Sequence, residues 1–393
     1  MSVTHQEKFW TAVVLLWLAG VGLRITILAV PPVIPMIRVE FHLSATEVGL
    51  LSSIPSALFA VAAVVGSALV ARLGMLRALV GGLLIVALGS ALRGLSVNFP
   101  VLFATSILMA AGVAVMQPVM PTTVRQWLPG HIGLGTAIYT NGLLVGEVFP
   151  VWLTIPYVLP MVGSDWRNSL VVWSLPVAMT ALVVYLFAPS SPARRPTPEG
   201  RVPQWRPDWR SGLVWRLGVL FGCVNSIYFG TNAFLPIYLT SQGRPDLISG
   251  ALTALNLGQV PASLLLLLVA RNLERRAWPF ILSGGLSLLS VVGLVFLVGP
   301  STVVWAATLG FSDAAALILG LSLPPLLCHS EDIARTSAAM FTVSYSGAVA
   351  IAIISGVAWD LSGVPSLAFV PLGICAVTLA ASTIALRKKA ELR

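Results

Sequence analysis

Apolar runs of about 20 residues recur along the whole chain, with short polar turns between them. Wound as a helix, a run of that length crosses ~30 Å of hydrocarbon. The pattern predicts helices at 9–37, 46–71, 76–96, 99–127, 132–160, 165–189, 211–240, 246–272, 277–298, 302–327, 334–360 and 364–387. One connection is long and hydrophilic, "SSPARRPTPEGRVPQWRPDW" at 190–209. Its prolines and arginines cannot form a membrane helix, and it divides the chain near the middle. The expected fold is therefore an all-α membrane protein. Twelve transmembrane helices form two pseudo-symmetric six-helix bundles, 1–189 and 211–393, joined by a linker at 190–210. The first run begins near Phe9 without a small-residue cleavage site and is longer than a signal peptide's apolar core, so it is read as the first spanning helix.

Composition agrees with lipid as the main solvent. Hydrophobic residues make up 57% of the 393 and charged residues only 9%, against roughly 25% charged in a soluble domain. The net charge of +9 does not point to nucleic acid, because the basic residues sit in short turns between apolar runs. Their distribution sets an orientation instead. With the N-terminus inside, 18 of the 23 Lys and Arg fall on the cytoplasmic side, while Arg38, Arg93, Arg167 and Arg244 fall outside. The positive-inside rule then places both termini in the cytoplasm and requires an even number of spans.

The halves repeat one another weakly, as parallel repeats do. "VAR" closes the second predicted helix at 70–72 and the eighth at 269–271. "PVMPTTVRQWLPGHIGLGTAIYTNG" (118–142) and "PPLLCHSEDIARTSAAMFTVSYSG" (324–347) share an order: a proline pair, a basic turn, then a tyrosine and a glycine in the next helix.

Three charged side chains fall near the centres of their predicted helices: Arg24, Glu147 and Asp313. A charge at the bilayer centre costs at least ~2.5–3.5 kcal/mol on insertion scales, so each must face the bundle interior, a partner or a water-filled cavity. Polar residues at similar depth, namely Gln117, Tyr139, Asn141, Asn225, Tyr228, Asn232, Asn256, Gln259 and Tyr345, complete a candidate substrate site at the midplane. For each amide the competing reading is a hydrogen bond that only ties helices together, at ~0.6 kcal/mol. Arg24 is the strongest candidate, because a guanidinium is a fixed charge with a fork of donors suited to anions. Glu147 and Asp313 are either its counter-ions or proton-coupling groups, since desolvation favours the protonated carboxyl.

Other chemistry is thin. Met116 and Met120 could hold Cu(I) at their spacing, but packing explains them better. His131 and His329 fall in predicted cytoplasmic turns, and Cys223, Cys328 and Cys375 form no CxxC, so buried thiols are expected. No Walker A loop and no Ser/His/Asp or HExxH arrangement occurs. No enzyme activity, cofactor or metal is expected.

These features together resemble the major facilitator superfamily, and more narrowly its cyanate and 2-nitroimidazole transporter branch. The resemblance rests on "LRITILAVPPVIPMI" (23–37), "LLSSIPSALFAVAAVVGSAL" (50–69), "PVMPTTVRQWLPGHIGLGTAIYT" (118–140), "DWRNSLVVW" (165–173) and "FLPIYL" (234–239). It implies alternating access about a central site, with Arg24 matching the family's helix-one arginine. Two departures stand out. Ala71 occupies a place where the superfamily's signature loop carries an aspartate, and Glu147 and Asp313 stand where the branch has small or uncharged residues.

The functional expectation is a secondary active transporter of a small polar organic solute, anionic or zwitterionic, in a bacterial-type inner membrane. Proton coupling, a monomeric state and the lipid bilayer as surroundings go with it, and nucleic acid does not. The alternative is efflux of drugs or toxic compounds by the same fold, which would favour a broad apolar cavity.

Overall fold

A computed structural model describes residues 3–189, 209–273, 276–328 and 333–388. The predicted linker, apart from its last two residues, and His329 lie outside the described residues, as does the side chain of Ala71. Sixteen α-helices are described. The first unit draws on α1 (Val3–Leu28), the later part of α3 (Ala45–Leu73), α4 (Met75–Arg93), α5 (Phe99–Trp127), α6 (Ile132–Leu153), α7 (Leu159–Met161) and α8 (Trp166–Phe187). The second draws on α2 (Ile34–Phe41), the first part of α3, α9 (Gly212–Ser241), α10 (Ile248–Leu257), α11 (Gln259–Leu273), α12 (Trp278–Phe296), α13 (Ser301–Leu321), α14 (Leu323–Leu327), α15 (Ile333–Ser362) and α16 (Val370–Lys388).

Among the described residues ten helices are long and apolar enough to cross a membrane. The predicted span at 46–71 is α3, one continuous helix from Ala45 to Leu73. The predicted span at 246–272 is broken in two at Gly258, where a Cβ would meet the carbonyl of Ala307. The first predicted span, 9–37, is also broken. Pro31 and Pro32 carry no N–H, so the α-helix stops at Leu28 and continues as a short 3-10 turn, Pro31–Val33, before α2.

Each unit has the same packing plan. In the first, α1 lies on α6, and α4 lies on both α5 and α8. In the second, α9 lies on α15, and α12 lies on both α13 and α16. Lipid supplies no hydrophobic force between helices, so close approach depends on small residues. Added Cβ atoms at Gly20, Gly142 and Gly146 would collide with the carbonyls of Tyr139, Trp17 and Val21, which fixes α1 on α6. On the α4–α5 seam, Gly89 receives the Met109 backbone and Gly112 the Val86 backbone. On the α12–α13 seam, Gly293 receives the Trp305 ring.

Residues 34–60 come from the first half of the sequence but pack within the second unit. The start of α3 is fully accounted for there. Ser44 Oγ accepts from the Glu47 N–H at 3.1 Å while Glu47 Oε2 accepts from the Ser44 N–H at 2.8 Å, a reciprocal capping box. The Asp360 carboxylate, from the far end of α15, accepts the N–H groups of Ala45 and Thr46, each at 2.8 Å. The Arg38 guanidinium lies over the Trp359 ring at 4.6 Å. Further along, Gly49 and Gly356 allow backbone contact with Ala352 and Ala45, and Phe59 meets Tyr345 at 5.2 Å.

Candidate polar sites within each unit

In the first unit the glycine seam between α1 and α6 brings Arg24 against Glu147, with Arg24 Nε 3.4 Å from Glu147 Oε1. The two side chains are 15% and 6% exposed, so the pair is largely withdrawn from solvent. The distance is longer than the 2.7–2.9 Å of a tight charge-assisted hydrogen bond. Asn141 lies about two turns earlier on α6 and accepts from the indole N–H of Trp17 at 2.9 Å. Trp17 and Asn141, with Val13, Val14, Ala137 and Ile138, line an open pocket of about 360 Å³ that does not include Arg24. Tyr139 and Gln117 are half-buried, and the Tyr139 carbonyl is the one that approaches Gly20.

In the second unit three predicted residues form one network. The Tyr228 hydroxyl donates to Asn256 Oδ1 at 2.7 Å, and Asn256 Nδ2 donates to Asn232 Oδ1 at 3.1 Å and to the Leu252 carbonyl at 2.8 Å. Asn232 Nδ2 donates to the Tyr228 carbonyl at 3.0 Å, which closes the network. All three are buried. Asn225 donates to Ser344 Oγ at 2.7 Å, next to Tyr345, whose ring stacks on Phe341. Gln259 and Asp313 are also buried, at the start of α11 and in mid-α13, and Ser312 beside Asp313 shares a hydrogen bond with Ser287. The amide network ties α9 to α10, as the competing sequence reading allows.

Three contributors carried little sequence signal. Trp17 lies within an apolar run and shows its role only through its N–H. Ser344 is one small hydroxyl among many. Arg93 falls near the end of the predicted helix 76–96 and reads there only as an outer-side cation; it is the last residue of α4 and only 3% exposed. Its guanidinium donates through Nε to Ser106 Oγ and through a terminal nitrogen to the Thr26 carbonyl, each at 3.0 Å. Among the described residues no group of three or more His, Cys, Asp or Glu side chains is placed to hold a metal ion. Met116 and Met120 are buried, with Met116 against Gly82 on the α4–α5 seam.

The sequence profile of the Major Facilitator Superfamily matches residues 16–387. The chain is 28% identical to the cyanate transport protein CynX of Escherichia coli (strain K12), over 78% of each chain. It is 24% identical to the 2-nitroimidazole transporter of the same organism, over 81% of this chain and 80% of that one. The fold superposes on the inward-open xylose transporter XylE from E. coli with a TM-score of 0.74 at 14% identity, over 97% of this chain and 96% of that one. A POT family transporter in complex with 5-aminolevulinic acid gives 0.74 at 15% identity, over 96% of both chains. Relatives that are transporters, not enzymes, match over most of the length, and the fold is the all-α, twelve-helix fold of that superfamily. The chain belongs to the Major Facilitator Superfamily and is a membrane transporter of a small solute.

Proposed function

We propose that the chain moves a small anionic or zwitterionic solute across a bacterial-type inner membrane by alternating access, in symport with protons, with both termini cytoplasmic. Arg24 is the anion-binding group and Glu147 its exchangeable counter-ion. The observation that carries this reading is the 3.4 Å Arg24–Glu147 pair, largely buried in the first unit. At rest the pair sums to zero charge. An anion that takes the guanidinium leaves a second negative charge in a desolvated place, and protonating Glu147 removes it. Substrate anion and proton therefore enter together. The relatives that transport cyanate and 2-nitroimidazole suggest a compact ligand, and cyanate supplies the single negative charge that the pair would exchange.

The test is uptake of labelled cyanate into proteoliposomes across a pH gradient. Wild-type uptake should follow the gradient. Glu147→Gln should bind cyanate without responding to it, and Arg24→Ala should abolish binding. Gradient-driven uptake that survives in Glu147→Gln would remove the proton role. A thermal-shift screen against small carboxylates, amino-acid-like solutes, cyanate and nitro-heterocycles then ranks cargo classes, and stabilisation confined to uncharged nitro-heterocycles would overturn the anion reading.

A further inference from the structure

The end of α1 presents an accounting problem that the sequence creates and Arg93 solves. In an α-helix each carbonyl accepts from the N–H four residues on. Ile27 and Leu28 would accept from residues 31 and 32, but both are proline. The Val30 N–H turns to the Ile27 carbonyl instead, at 3.4 Å, and thereby abandons the Thr26 carbonyl. An unsatisfied carbonyl away from water is costly, and the negative end of the helix dipole lies here as well. The Arg93 guanidinium meets both needs by donating to the Thr26 carbonyl at 3.0 Å. Ser106 on α5 holds the guanidinium from its other side. Among the described residues no carboxylate forms an ion pair with Arg93, so its buried charge answers to the helix end. A lysine could place one donor there but could not also reach Ser106 with a planar fork.

Thr26 is two residues from Arg24, and the chain passes into the second unit just beyond it, after Val33. We propose that Arg93 is a positioning residue for the Arg24–Glu147 site. It clamps the broken end of α1 to α4 and α5 and so fixes the register at which Arg24 meets Glu147, although it touches neither. The role rests on the reading of that pair as the working site. Arg24 on α1 pairs with Glu147, and the Arg93 charge faces the end of α1.

The test uses purified full-length protein and needs no substrate. Hydrogen exchange over residues 25–30 reports the helix end. The Glu147-dependent part of thermal stability, taken as wild type minus Glu147→Gln and followed against pH, reports the pair. A paired carboxylate contributes stability that is lost as pH falls, and a looser pair loses it at higher pH. Arg93→Met should speed exchange by about tenfold, as loss of a charge-assisted cap implies. It should also move the midpoint up by about one pH unit. Arg93→Lys should recover part of both. Exchange or midpoint at the wild-type value in Arg93→Met overturns the role. Arg24→Met separates the two ideas: if it too leaves the midpoint unmoved, the Arg24–Glu147 reading fails first and the positioning role falls with it. If Arg93→Met does not fold, Ser106→Ala loosens the clamp from one side. It should shift both readouts in the same direction by less, and wild-type values there overturn the role.

Discussion

At the scale of single residues, a charge inside an apolar run is conspicuous and a charge at its edge is not. Arg24 and Glu147 each interrupt a long apolar stretch, so the cost of burial alone marks them as candidates, and the structure pairs them at 3.4 Å. Arg93 lies near the end of its predicted helix and reads only as an outer-side cation until the packing around it is seen. Its role depends on Pro31 and Pro32, which are distant in sequence, and no local pattern links them. The pair also makes a stability prediction. Removing one partner of a buried pair leaves an uncompensated charge, at about 3–5 kcal/mol, whereas removing both is far milder. Arg24→Met and Glu147→Gln should therefore each lower the melting temperature, and the double variant should be more stable than the sum of the two losses allows. Additive losses in thermal unfolding would show that the two side chains do not interact.

At the scale of elements, the existence of each helix was legible and the breaks within them were not. Hydropathy finds a span because lipid forces every backbone group to pair within it. The same hydropathy continues unchanged across Leu28–Ile34 and across Gly258, where the helical hydrogen bonds stop, so the pattern showed one helix in each place. Seams were half legible. Glycine-rich helices suggest close packing, but only the structure shows that Gly142 receives the Trp17 carbonyl. Gly142→Leu should force α1 from α6, at about 1–3 kcal/mol for overpacking. Because Arg24 rides on α1, it should also weaken anion binding in the thermal-shift screen. Gly81→Leu is the control, since a Cβ there meets nothing within 4 Å. Equal losses in the two variants would argue against a specific seam. The cap on α3 is a second element-scale case. Asp360→Ala removes the acceptor for two N–H groups and for the Thr46 hydroxyl. It should cost about 1–2 kcal/mol, and Asp360→Asn, which keeps acceptor oxygen but not charge, should cost less. Identical melting curves for Asp360→Ala and wild type would remove the cap from the account.

At the scale of the whole molecule, the polar linker and the internal repeat suggest that the chain divides at its middle, and the packing adds a complication. Residues 34–60 precede the linker, yet they are folded into the second unit, held by Asp360, by Arg38 on Trp359 and by the Gly49 and Gly356 contacts on α15. Repeat and hydropathy signals are local, so neither can show that one stretch of a half has been given to the other. The consequence is testable by cutting the chain at the linker. A fragment of 203–393 made alone lacks residues 45–60, so the small-residue face of α15 around Ala352 and Gly356 has no helix against it, and the Asp360 carboxylate has no N–H groups to accept. That face is built for close backbone contact, which lipid chains cannot reproduce. The fragment alone should give little monodisperse protein by fluorescence-detected size exclusion, and co-expression with 1–202 should restore it. Co-expression with a 1–202 fragment carrying Gly49→Leu should restore much less, because that side chain would collide with the Ala352 carbonyl. A lone 203–393 fragment as well behaved as the co-expressed pair would show that residues 34–60 rest on the second unit without stabilising it.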